Sequence, residues 1–123
     1  MTMVEVLVAL IVLSIALIVC LTVMPGILQA SQKGSYIAIA TRIASDQIAQ
    51  AEATNTSLLA MGTSTYVVTG LPSGSMTIVI SGNLAANNAA LKEVDVTVTW
   101  SGTKEAPATG GSVTMSTYVC AKR

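Results

Sequence analysis

From Val6 to Val23 the chain carries no charged residue, and Ser14 and Thr22 are its only clear polar groups apart from Cys20. Crossing hydrocarbon takes about 20 mainly apolar residues at a rise of about 1.5 Å each, and Met1 to Met24 supplies that length. Neither glycine nor proline occurs in the run before Pro25-Gly26, so the pattern predicts one helix that is apolar all round. Proline removes an i→i−4 hydrogen bond and glycine adds freedom. Pro25 and Gly26 therefore mark a helix break: a plain end, a kink, or a stretch able to unwind. Beyond it Ile37, Ala40, Ala44, Ile48 and Ala51 recur at helical spacing, with Lys33, Arg42, Asp46 and Glu52 on the opposite face. That favours continuation as an amphipathic helix to about Thr54, a spine of roughly 80 Å.

The rest alternates with a period of two and is rich in Thr, Ser, Gly and Val. Thr65–Thr69 and Ser75–Ser81 read as strands around a turn at Gly70-Leu71-Pro72-Ser73-Gly74, with Met76, Ile78 and Ile80 on one face. Asn55-Thr56-Ser57, Met61–Ser64 and Gly82–Ala90 read as loops. Val94, Val96, Val98 and Trp100 alternate with Asp95, Thr97 and Thr99, and Val113, Met115, Thr117 and Val119 with Thr114, Ser116 and Tyr118. The long connection Ser101–Ser112 separates these two strands. The expected class is α+β: a long N-terminal α-helix, partly transmembrane, packed by its second half on a four-stranded antiparallel sheet. Three segments follow: residues 1–24 apolar, 25–54 amphipathic helix, and 55–123 an antiparallel β head. Trp100 is expected in the core.

Composition sharpens this reading. The 123 residues are 52% hydrophobic with a mean hydropathy of +0.70. Only 10% are charged, against about 25% in ordinary globular chains. Zero net charge removes a bulk electrostatic case for nucleic acid. Two cysteines, Cys20 and Cys120, make neither a metal cluster nor a disulfide framework, and both read as free, mostly buried thiols.

Against this background Glu5 is out of place. No basic residue precedes Lys33, so the usual positive flank of a membrane anchor is missing. One explanation is that a flank has been removed and Met1 is a processed N-terminus whose amine is the nearest positive charge. A carboxylate at the edge of hydrocarbon costs a few kcal/mol unless paired. Its partner is either the amine of its own chain or that of a neighbour displaced along a bundle, and in the second case the acid sets the stagger between chains. The plain alternative is a helix N-terminal acid favoured by the macrodipole.

Thr2-Met3-Val4-Glu5-Val6-Leu7-Val8-Ala9-Leu10 resembles the mature N-terminus of type IV pilins and pseudopilins, over about the first 24 residues. The resemblance implies cleavage of a basic leader and N-methylation of Met1 by a prepilin peptidase and methylase. It implies storage in the inner membrane, then export by pilus assembly machinery into an extracellular filament of identical subunits. Thr2 and Glu5 match the family pattern, and Glu5 would neutralise the Met1 amine of an adjacent subunit. The wording Val4-Glu5-Val6-Leu7-Val8-Ala9-Leu10 is closer to minor pilins and pseudopilins than to many major pilins. The chain departs from the pattern in three places: methionine stands where phenylalanine is usual at position 1, Ser14 stands where glycine is common, and Pro25 comes a few residues late. The family's C-terminal disulfide loop is also missing, since Cys120 has no partner in the head.

Other chemistry is sparse. There is no histidine, and the acids Glu5, Asp46, Glu52, Glu93, Asp95 and Glu105 are scattered. Glu93 and Asp95 read as solvated strand-edge charges in preference to a calcium site. The expectation is a protein that is not an enzyme and has no cofactor and no metal. Lys104, Lys122 and Arg123 give a small basic tip, and DNA is the least supported of the partners. Two further readings remain: a minor pilin or secretion-system pseudopilin, and a single-span protein displaying a β binding domain with Met1 as a true start.

Overall fold

The structure is a computed structural model that describes residues 2–54, 58–82 and 91–120. Helix α1 runs from Met3 to Ala53, passing through Pro25 and Gly26 as one helix. The proline has no N–H to offer the Leu21 carbonyl. Thr2 is extended, and its carbonyl accepts the Glu5 and Val6 N–H groups at 3.0 and 3.4 Å. At the other end the Thr54 N–H reaches Gln50 and Ala51 carbonyls, and its Oγ1 donates to Gln50 at 2.8 Å.

Four strands follow: β1 (Gly62–Val68), β2 (Gly74–Gly82), β3 (Leu91–Trp100) and β4 (Gly111–Cys120). They form one antiparallel meander in the order β1-β2-β3-β4. The α+β class and the packing of the second half of the helix on the sheet are as the sequence leads one to expect. The β1–β2 turn needs Gly70 at φ +98 and closes with the Gly74 N–H on the Leu71 carbonyl at 3.1 Å.

The core lies where α1 crosses β3 and β4. Val94, Val96 and Val98 are at most 1% exposed, and Ala40 and Ala44 are fully buried beneath them. Two alanines one turn apart let the helix backbone approach the sheet closely. Tyr36, Ile39, Ile43 and Ile48 flank that contact. Trp100 closes the end of the core at 5% exposure, its Nε1 donating to the Thr109 carbonyl at 2.7 Å. Thr109, inside the short 3-10 turn Pro107–Thr109, is fully buried and donates to the Ala106 carbonyl. Gly111 lies opposite Trp100 in the β3–β4 register, and a Cβ there would come within 2.9 Å of the indole ring. The ring takes the space a side chain would need.

Four details differ from the sequence reading. Ile37 is 42% exposed and lies off the buried stripe, because Ala40 and Ala44 set the phase and bring Tyr36 and Ile39 to the sheet instead. Gly62–Ser64, read as loop, belong to β1, where pairing with β2 (Gly62↔Ile80) needs no side-chain pattern. Glu93 and Asp95 are on an interior strand, not an edge. Cys20 and Cys120 are free but exposed. Among the described residues nothing covers Cys20, and Cys120 is one residue out of phase with buried Val119. The loop expectation for Asn55-Thr56-Ser57, most of the Gly82–Ala90 loop, and the tip residues Lys122 and Arg123 lie outside the described residues, as does Met1.

Candidate assembly site

The first half of α1 is exposed along its whole length. Every residue from Thr2 to Ser35 is exposed, and Leu7, Val8, Leu10, Ile11, Leu13, Ile15 and Leu17 each show more than half their surface. By length and composition this one helix is sufficient to cross a membrane. Its two hydroxyls are satisfied within the helix. Ser14 Oγ donates to the Leu10 carbonyl at 2.7 Å, and Thr22 Oγ1 to the Val19 carbonyl at 2.9 Å. Apart from the weakly donating thiol of Cys20, the segment therefore presents neither a free side-chain donor nor a charge from Val6 to Val23, which is what an apolar medium requires.

Glu5 lies in the first turn of α1, beside backbone N–H groups and the positive end of the helix dipole. Thr2 takes the N-cap position without a side-chain cap bond, so its hydroxyl does no capping. Pro25 and Gly26 lie about a turn and a half past Cys20, and a Cβ on Gly26 would meet nothing within 4 Å. Thr2, Glu5, Pro25 and Gly26 are thus strung along one exposed helix, not gathered into a pocket. What links them is a surface long enough to lie in lipid or against other helices.

On the outer face of the sheet, hydroxyls dominate. Thr65, Thr77, Thr97 and Thr114 lie in one row across all four strands, and Thr97 and Thr114 are hydrogen-bonded at 3.1 Å. Ser75 and Thr99 pair at 2.8 Å in the next row. Further along, the Tyr118 hydroxyl donates to Glu93 Oε1 at 3.1 Å across the β3–β4 pair. Matching parities in the two strand patterns put Glu93 and Tyr118 on the same face, but only the register puts them opposite each other. Among the described residues no group of three His, Cys, Asp or Glu converges to hold a metal. A cleft of about 180 Å³ between α1 and β2, lined by Gln47, Gln50, Ala51, Leu59, Ile78 and Ile80, carries no titratable group.

The bond to Glu93, then that carboxylate's charge, then burial and the charge of Asp95, raise the Tyr118 phenol above its ordinary value of 10.0. A raised folded-state value means that the contribution to stability is complete below pH 10 and is lost as pH rises through the higher folded value. In full-length chain labelled with 13C-tyrosine, the Tyr118 resonance, assigned by its loss in Tyr118→Phe, is expected to titrate above free tyrosine. Glu93→Gln should bring its midpoint down. An unchanged midpoint in Glu93→Gln would remove the carboxylate as the cause.

A long, apolar N-terminal helix whose second half alone is packed on a four-stranded antiparallel sheet fits a pilin-like fold. Compared with known protein families, curated proteins and solved structures, the chain matches none of them.

Proposed function

We propose that this chain is the structural subunit of a type IV pilus filament. One observation carries the proposal: α1 is a single helix of which one half is packed and the other, apolar and headed by an acid, is bare. An apolar surface of that extent needs a covering. Lipid covers it while the subunit is stored in the membrane, and the helices of identical subunits cover it after assembly. Glu5 supplies the register. In lipid its carboxylate is costly, and in the filament it meets the Met1 amine of the next subunit, so one stagger is favoured over its neighbours. Thr2 lies beside this pair. The N-methylation expected at Met1 keeps the amine positively charged. Pro25 and Gly26 are where α1 would bend or unwind as it leaves lipid for the filament, since one backbone bond is already missing there. A heterologous, head-to-tail contact that does not close gives a helical filament. Cleavage of a leader, methylation and extraction belong to a separate peptidase, methylase and motor.

A second reading has its own support: the wording Val4-Glu5-Val6-Leu7-Val8-Ala9-Leu10 is nearer to minor pilins and secretion pseudopilins. Shearing cells and measuring the intact mass and N-terminus of the dominant extracellular subunit separates the readings. The pilus proposal expects this chain to dominate and to begin at methylated Met1. A trace amount in filaments assigns it to the minor class. An unprocessed chain confined to the membrane overturns both and leaves a single-span display domain.

A further inference from the structure

Among the described residues the two outermost strands of the sheet carry neither charge nor proline, two of the devices that usually protect an edge. Exposed edges are blunted by charge, proline, bulges or a covering element. β1 reads GTSTYVV and β4 reads GSVTMSTYVC, with no charge and no proline in either. The charges in the sheet, Lys92, Glu93 and Asp95, are all on interior β3. Six of the seven residues of β1 are exposed, Val67 at 89%.

The helix is also off-centre. The α1 backbone lies close to β3, β4 and the 3-10 turn and not to β1, of which only Val68, at its end, is buried in the core. The inner face of the sheet therefore overhangs at the β1 side, where Tyr66 remains 53% exposed. On the opposite side, α1 presents a flank at positions 37, 41, 48 and 52, which share one face. Glu52 on that flank accepts a hydrogen bond from Thr117 of β4 at 2.9 Å, which places the flank toward the β4 edge. Ile37, the apolar residue left out of the core, lies on it.

From these features we infer that neighbouring copies join edge to edge, β1 of one pairing antiparallel with β4 of the next. The polarity follows from topology. In a sequential meander of four strands, β4 runs antiparallel to β1. A translated copy keeps its orientation, so its β4 lies antiparallel to the first copy's β1, and the alternation continues unbroken. A two-fold pairing of β1 with β1 in antiparallel sense would reverse α1, which chains anchored in one membrane do not permit. Translation also carries the neighbour's α1 flank beneath the overhang, so that its Ile37 covers the first copy's Tyr66. One contact thus satisfies two bare edges and one bare ledge. It is heterologous and open, as a filament requires. The inference takes its common polarity from the filament reading.

The test uses the full chain in cells, with Cys20→Ala and Cys120→Ala as background. Thr65→Cys on the outer face of β1 is combined in turn with Ser112→Cys, Thr114→Cys or Ser116→Cys on the outer face of β4. All four positions are exposed. After oxidation, sheared filaments and membranes are run separately on non-reducing gels. A ladder extending past the dimer is expected for one of the three pairs, with none from any single variant. Filaments at normal yield without a ladder for any pair overturn the edge contact and leave the filament reading intact. A product that stops at dimer with Thr65→Cys alone overturns it in favour of a two-fold contact. A ladder confined to the membrane fraction, with no filaments from the parent chain, keeps the edge contact and removes the filament reading. Absence of both ladder and filaments overturns both.

Discussion

Glu5→Ala is expected to leave the chain in the membrane and to lower the yield of sheared filaments at least about 100-fold. Truncating one partner of a buried ion pair costs about 3–5 kcal/mol, because the other charge stays buried and unpaired. Each 1.4 kcal/mol is about a factor of ten in the equilibrium for adding a subunit. The same change removes a carboxylate from the membrane edge and so makes storage in lipid more favourable. Both effects push the balance toward the membrane. Quantitative blotting of sheared and membrane fractions reads the ratio directly. Glu5→Gln, which keeps the shape but not the charge, should fall on the alanine side. Filaments at parental yield in either variant would show that stagger is set elsewhere, by the head or by apolar packing alone.

The second large effect is expected in the head. Trp100→Ala removes the largest side chain of the core, which is 5% exposed, and leaves the Thr109 carbonyl without its indole donor. Such truncations cost about 3–5 kcal/mol. With about 4–8 °C of Tm per kcal/mol for a unit this small, the melting temperature of the full chain in detergent should fall by more than about 12 °C when followed through the β signal in circular dichroism. Trp100→Phe keeps most of the buried area but loses the hydrogen bond, and should cost about 1 kcal/mol. A drop of less than about 2 °C in the alanine variant would mean that the 3-10 turn holds the end of the sheet without the indole.

Which parts of the molecule the sequence discloses follows from how unequal its faces are. β3 and β4 are plain in the sequence because one face packs on α1 and the other is wet, so valine alternates with threonine. β1 is poorly disclosed because the helix backbone does not lie close to it; with both faces exposed, Gly62–Ser64 have no pattern to show and only backbone pairing makes them a strand. The first half of α1 is legible in length but not in phase, since it is apolar all round. In the second half the phase misleads at Ile37. Isoleucines at 37, 39, 43 and 48 surround the axis, and the closest approach is made by two small residues, Ala40 and Ala44. The acid at position 5 is visible at once because it is costly where it lies. Its partner is not, because the family resemblance places that partner in another molecule. The Tyr118–Glu93 bond depended on register across a ten-residue connection, which alternation alone does not fix.

As long as α1 runs unbroken from Met3 to Ala53, before any bend at Pro25 and Gly26, the head takes its bearing from the helix. Each residue of helix turns about 100° and advances about 1.5 Å, so the compass direction of the β sheet is geared to that of Glu5. One residue added between Ser31 and Ser35 would swing the sheet by about 100° while raising it hardly at all. Seven residues would lift it by about 10 Å and return it to within about 20° of its original bearing. Spacing along the apolar half and orientation of the sheet are therefore not independent quantities in this protein, and a length change that preserves one will as a rule spoil the other.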